Sequence, residues 1–177
     1  MPFLRNPHLD LTQSKIETDR CVIVPFSLDG RVDIRELQEE FCRMNQDHSV
    51  SQFLPTYEEE LKFVEESIDA MKRWEMAEFF ILHKDTNKLL GAIWLREPEE
   101  HRMNLWFWFR VDEQRKWYGT EVYAAFLDWA RIHVKYGFLK HALQPGNTWS
   151  RKLAEKFGGI LQLEKTERGS DIYHIPL

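Results

Sequence analysis

The run MNLWFWFRV, Met103 to Val111, is apolar on both faces of an extended chain. Side chains alternate across a strand, so Leu105, Phe107, Phe109 and Val111 point one way while Trp106 and Trp108 point the other. A strand without a polar face has to be covered on both sides, which calls for a sheet between two layers. Its apolar stretch Leu105–Phe109 is far shorter than the ~20 residues that cross a bilayer as a helix.

The segments around this strand supply the layers. DRCVIVPF, Asp19 to Phe26, is β-branched and reads as a first strand. Ile34, Leu37 and Phe41 then fall at helical spacing. Thr56 with Glu59 forms a capping box that opens a second helix, whose apolar stripe runs through Leu61, Val64, Ile68 and Met71. AEFFILHKDTNKLLGAIWL reads as a hairpin around the turn KDTNK. Beyond the two-faced strand, Val122, Tyr123, Phe126, Leu127, Ala130 and Val134 stripe a helix from Gly119 to Tyr136, with Gly137 expected as its C-terminal cap. FLKHAL is a short strand. PGNTWSRKLAEKFGG is a compact helix with Asn147 as N-cap and Gly158 closing it. ILQLEK and DIYHIPL finish as a hairpin. This order predicts an α+β domain on one mixed sheet, with a parallel crossover around the helix of residues 119–136. Residues 1–14 read as an N-terminal extension and 15–177 as a single domain.

Composition narrows the function classes. The 177 residues suffice for one core without covalent staples, and the 14% aromatic share supplies large, stiff pieces for it. A net charge of −5 argues against nucleic acid as the main partner, because neutralising phosphates takes an excess of Lys and Arg. Cys21 lies in an apolar run and reads as a buried thiol, and Cys21 with Cys42 forms no metal-type spacing. His83, His133 and His174 lack metal-ligand spacing too, so no metal is expected. The N-terminal residues MPFLRNPHLD carry no apolar signal block. These features together point to a cytoplasmic protein outside the membrane; a monomer or a homodimer is expected. The acidic stretches YEEELKFVEES and REPEEHR read first as solvated surface, although they would also draw a cationic ligand. Trp106 and Trp108 are explained by packing against a helix, or by an acceptor pocket.

The chemistry concentrates in VDEQRKWYGTEVYAAF, Val111 to Phe126: a strand end, a polar loop and the first turns of a helix. Such a junction turns unpaired N–H groups and the positive end of a helix dipole toward whatever lies in front, which suits phosphate. Together with IETDRCVIVPF, LLGAIWL and NTWSRKLAEKFGG, this loop resembles the GNAT superfamily of N-acetyltransferases, and within it the RimJ/RimL branch, over Lys15 to Pro176. The resemblance implies a GNAT-type, mostly antiparallel mixed sheet with helices on both faces. It implies acetyl-CoA as co-substrate and an amine acceptor, either a peptide N-terminus or a small amine. The acetyl arm would lie where the strand ending at Val111 splays from the strand starting near Phe138.

By the same resemblance, the loop amides wrap the CoA pyrophosphate. Gln114, Lys116, Tyr118, Thr120 and Glu121 match the branch pattern, and Gly119 replaces a small alanine. Arg115 and Trp117 stand where that pattern has glycines. Arg115 would add a charge-assisted phosphate contact. If the Trp117 indole points away from the phosphates, the amides still donate; if it points inward, the site is blocked. A backbone N–H between Phe109 and Val111 would polarise the thioester carbonyl. Asn147-Thr148-Trp149-Ser150 fits the branch's Asn-x-x-Ser, making Ser150 the expected hydroxyl beside the departing thiolate, though helix capping by itself accounts for the same pattern. The branch often carries Glu where this chain has Asn104. His101 and His141 are the substitute candidates for a general base. The altered glycines and Asn104 also leave open a GNAT-fold binding module without catalysis.

Overall fold

The computed structural model describes residues 3–6, 8–27, 29–33, 35–36, 39, 57–99, 102–166 and 169–177. Eight strands form one sheet: β1 (Ile16–Glu17), β2 (Cys21–Pro25), β3 (Met76–His83), β4 (Leu89–Glu99), β5 (Arg102–Phe109), β6 (Phe138–Leu143), β7 (Ile160–Lys165) and β8 (Asp171–Pro176). They lie in the order β1-β2-β3-β4-β5-β6-β8-β7. The described helices are α1 (Tyr57–Lys72), α2 (Tyr118–His133) and α3 (Thr148–Lys156). Every strand pair is antiparallel except β5 with β6, the crossover that carries α2. The α+β mixed sheet expected from the sequence is therefore the fold. Ile34, Leu37, Phe41 and Thr56, on which a preceding helix and a capping box were read, lie outside the described residues.

Two apolar clusters cover the two faces of the sheet. On one face Phe79, Ile81, Ile93, Leu105 and Phe109 meet Val122, Tyr123, Phe126 and Ala130 of α2 and Leu153 of α3. On the other, Val24, Phe80, Leu82, Ala92 and Trp108 meet Val64 of α1, flanked by Leu61 and Ile68. The alternation within β5 is thus real. Leu105 and Phe109 are buried on the α2 side and Trp108 on the α1 side, while Trp106 stays 43% exposed.

Three readings of the sequence need correction. The two-faced strand ends at Phe109; Val111 opens a 3₁₀ turn (Val111–Glu113) and is exposed, because Arg110 spends its N–H on Leu90 O at 2.8 Å and the chain then turns. The helix α2 stops at His133, and Val134 rather than Gly137 is its cap. The cause is tertiary. Leu4 bridges Val134, Arg5 N–H donates to His133 O at 2.7 Å and Lys135 N–H to Phe3 O at 3.0 Å, so the chain's beginning ties off the helix end. Third, a two-residue strand, β1, precedes the expected first strand, joined to it by a turn in which the Thr18 hydroxyl accepts from Cys21 N–H at 2.8 Å. Phe3, Leu4 and Leu11, which precede the expected domain start, are packed in the core with the rest. Cys21 is fully buried, which pushes its thiol up to about 11 and leaves it protonated at neutral pH.

Candidate active site

β5 and β6 share a single register position, Asn104 with Lys140. Further along β5, at its Phe109 end, a cavity of about 540 Å³ opens. Its lining comes from the end of β5 (Phe107, Trp108, Phe109), the loop (Glu113, Gln114, Arg115, Trp117), the start of α2 (Tyr118, Gly119) and the start of α3 (Asn147, Trp149, Ser150).

Two helices begin at this cavity, and they are finished differently. The Asn147 side chain caps α3, accepting from Ser150 N–H at 3.1 Å. The N-cap of α2 is Trp117, whose side chain has no oxygen to offer. The first intrahelical bond of α2 is Glu121 N–H to Trp117 O at 3.4 Å, so the amides of Tyr118, Gly119 and Thr120 precede the helical ladder. Tyr118 and Gly119 are buried, and uncapped amides at such a helix start suit a ligand with acceptor oxygens.

The loop backbone is held in an unusual conformation. Arg115 sits at φ +63° and Trp117 at φ +69°, both in the left-handed region, at the two positions where the family pattern has glycine. The glycine conformation is thus kept without the glycines, at a cost of about 1–2 kcal/mol per residue. Left-handed residues of this sort arrange loop N–H groups into anion-binding concavities.

Salt bridges fix the loop. Glu113, almost wholly buried, accepts from Lys88 Nζ at 2.5 Å and Lys116 Nζ at 2.9 Å. Arg110 pairs with Glu36 and donates to Asp112 at 3.1 Å. Burial works to raise the Asp112 carboxyl, but hydrogen bonds from Lys88 and Arg110 prevail and hold it down at about 2. Arg20 braces the other side, with Nη1 on Lys116 O at 3.0 Å, Nε on Glu121 at 2.7 Å and its guanidinium 4.5 Å from the centre of the Tyr118 ring. Glu121 also accepts from the Thr18 hydroxyl and from Arg20 N–H.

Gly119 has a steric reason. A Cβ there would lie 2.4 Å from Cη2 of the Trp149 indole, which lies across the first turn of α2 and also contacts Phe107 at 6.1 Å between ring centres. The indole takes the room that a small side chain would occupy.

Of the expected cofactor residues, Phe109, Gln114, Arg115, Trp117, Tyr118, Gly119 and Asn147 line the cavity, as does Ser150; Val111, Lys116 and Thr120 do not. Lys116 faces Glu113, and Gln114 donates its side-chain N–H to Phe109 O at 3.1 Å. The Trp117 indole is 73% exposed, so it stands out from the loop instead of filling the cradle. Trp108, weighed for an acceptor pocket, lines the cavity, while Phe107, Glu113 and Trp149 line it without having been singled out. Only Trp149 had a usable signal, its place inside the Asn-x-x-Ser segment.

The base candidates fare differently. His101 lies outside the described residues. His141 is 4% exposed, with Nδ1 3.2 Å from the Tyr123 hydroxyl and its ring against Phe107. Burial pushes its pKa down to about 4 and that of Tyr123 upward. An imidazole so placed is neutral at pH 7 and a weak proton acceptor. Asn104 has its side-chain oxygen buried without a hydrogen-bond partner.

His141 leads to a pH prediction. In the unfolded chain it takes a proton near 6.5, in the folded one only near 4, so below 6.5 the unfolded state binds more protons and stability falls with pH. Between pH 7 and pH 5 the loss from this group is about 2 kcal/mol. Urea titrations at the two pH values measure it, and His141→Gln, which keeps an acceptor for Tyr123, should remove most of the difference.

Among the described residues no cluster of metal-ligating side chains occurs, and no helix is long and apolar enough to cross a membrane.

Comparison with known proteins agrees with the geometry. No curated protein sequence matches the chain. The microcin C7 self-immunity acetyltransferase MccE, solved with acetyl-CoA and AMP, superposes with a TM-score of 0.74 at 17% identity, over 95% of this chain and 99% of its own. RimL, a ribosomal L7/L12 α-N-protein acetyltransferase solved with coenzyme A, superposes at 0.73 with 14% identity, over 93% and 98%. A GNAT-family acetyltransferase from Bacillus anthracis superposes at 0.66 with 20% identity, over 93% and 98%. At these identities the likeness is one of fold. In sequence, the model of the acetyltransferase (GNAT) domain matches residues 31–160, well over half of the chain. From fold, cavity and sequence match together, this chain belongs to the GNAT acetyltransferase family and is an acyltransferase.

Proposed function

We propose that the protein transfers an acetyl group from acetyl-CoA to a primary amine, with the α-amine of a peptide N-terminus as acceptor. The reading rests above all on the uncapped amides of Tyr118, Gly119 and Thr120 beside a cavity at the end of β5. The cavity fits the co-substrate. Those amides, with the Arg115 guanidinium, would hold the diphosphate, and the aromatic walls Phe107, Phe109 and Trp149 would enclose the apolar arm. Acetyl-CoA supplies an activated thioester; the chain's part is to hold it, exclude water and manage protons.

Ser150 is buried at the cavity wall at the start of α3, with its N–H fixed by Asn147. In this reading its hydroxyl would donate to the sulfur as the thiolate departs. The amine attacks directly while both substrates are bound. A neutral His141 with a pKa near 4 is a poor base, which favours an acceptor that is partly neutral by itself. A peptide α-amine, with a reference pKa of roughly 7.7–8.0, meets that condition; a lysine side chain at about 10.4 does not.

Thiol release from acetyl-CoA, measured with matched peptides offering an α-amine or only a lysine amine, tests the reading. The α-amine should turn over faster; faster lysine turnover would overturn the choice of acceptor, and no turnover of any amine would overturn the transfer itself. Ser150→Ala should lower kcat by about 100-fold with little change in the Kd for acetyl-CoA. An unchanged kcat would reduce Ser150 to a helix residue.

A further inference from the structure

We infer that the Trp117 indole is a stacking platform for the adenine of the co-substrate, making the loop selective for nucleotide-bearing thioesters. This rests on the acyl-CoA reading above and adds to it a residue and a ligand moiety.

Trp117 is 73% exposed, an unusual position for so large an aromatic surface. The other rings at the cavity are engaged: Phe107 with Phe109 at 6.3 Å, Trp149 with Phe107 at 6.1 Å, and Tyr118 under Arg20. Among the described residues Trp117 has no ring partner. The backbone beneath it is left-handed, a conformation that glycine would adopt without strain. Packing therefore does not account for an indole here, and backbone geometry opposes it.

Its neighbour repeats the pattern. Arg115 is exposed, left-handed and lines the same cavity. The other cations around the loop are paired, Lys88 and Lys116 with Glu113, Arg110 with Asp112 and Arg20 with Glu121. The loop thus presents an open guanidinium and an open indole on either side of Lys116, next to uncapped helix amides. Phosphate oxygens suit the amides and the cation, and a purine face suits the indole. In coenzyme A a single ribose separates the adenine from the diphosphate. With the diphosphate at the first turn of α2, the base comes within reach of the residue that precedes this turn, Trp117.

Calorimetric titration of the wild type and Trp117→Gly with three ligands tests the inference: acetyl-CoA, S-acetyl-4′-phosphopantetheine, which lacks the nucleoside, and adenosine 3′,5′-bisphosphate. Glycine suits φ +69°, so the variant should fold, and its melting curve checks this. The expected result is a 10- to 100-fold loss of affinity for acetyl-CoA and for the bisphosphate, on the order of one stacked base. Affinity for the phosphopantetheine thioester should stay within about 2-fold, and Trp117→Phe should restore most of the loss. Equal or tighter acetyl-CoA binding by the glycine variant would overturn the inference, as would equal weakening of all three ligands. Wild-type protein that binds acetyl-CoA while failing these contrasts leaves the acyl-CoA reading standing; wild-type protein that binds none of the three ends both.

Discussion

Phe126→Ala is expected to destabilise the protein by about 3–5 kcal/mol. Phe126 is fully buried at the middle of α2, where its ring meets Phe79 of β3 edge-on at 5.8 Å and stacks with Trp129 at 5.5 Å. The lost transfer energy of the ring adds to the cost of a cavity that the flanking sheet and helix cannot close. For a domain of this size the melting temperature should fall by about 6–20 °C. Because Phe79 and Phe126 touch, Phe79→Ala combined with it should cost less than the sum of the two single losses. Additive costs would show that the two rings do not share one packing unit. The helix that Phe126 seats also carries the uncapped amides, so acetyl-CoA should refold part of the variant population at high ligand concentration.

Gly91→Ala should have an effect of similar size by the opposite route, overfilling instead of emptying. A Cβ on Gly91 would sit 2.0 Å from the carbonyl oxygen of Trp108 and 3.0 Å from Cα of Phe109. Both are backbone atoms of the neighbouring strand, so no side-chain rotation relieves the clash; β4 and β5 have to separate. A loss of about 3 kcal/mol is expected, at the upper end for overpacking. The displaced residues, Trp108 and Phe109, are cavity walls, so affinity for acetyl-CoA should fall with stability. A variant with wild-type melting temperature would mean that the two strands run further apart than described. The glycine of LLGAIWL is thus a spacing requirement at the floor of the site.

How far the molecule can be read from its sequence depends on the range of the interactions that decide each feature. The two-faced strand, the 76–99 hairpin and the Asn147 cap follow from period-two alternation and local hydrogen bonding, which act within a few residues. The end of α2 is decided by Phe3–Arg5, over 100 residues away in sequence, so the glycine that suited a local cap lost to a tertiary one. β1 is two residues long, too short for any periodicity to register. In the site, the loop and its start-of-helix chemistry were legible because they form one contiguous segment. The braces Arg20 and Lys88 were not, because each becomes meaningful only when a distant part of the chain brings it to the loop. Gly119 and Trp149 illustrate the same limit. Gly119 stands where the family pattern has alanine, and its contact with the Trp149 indole explains why.

Acetyl-CoA binding in this fold depends on amides at the start of α2 acting as the diphosphate cradle. Amide proton–nitrogen NMR spectra recorded while coenzyme A is added test this at single residues. The largest shift changes should fall on Trp117, Tyr118, Gly119 and Thr120, with smaller changes at Trp149 and Ser150. Coenzyme A that binds with those four amides unmoved, or that fails to bind, would contradict it.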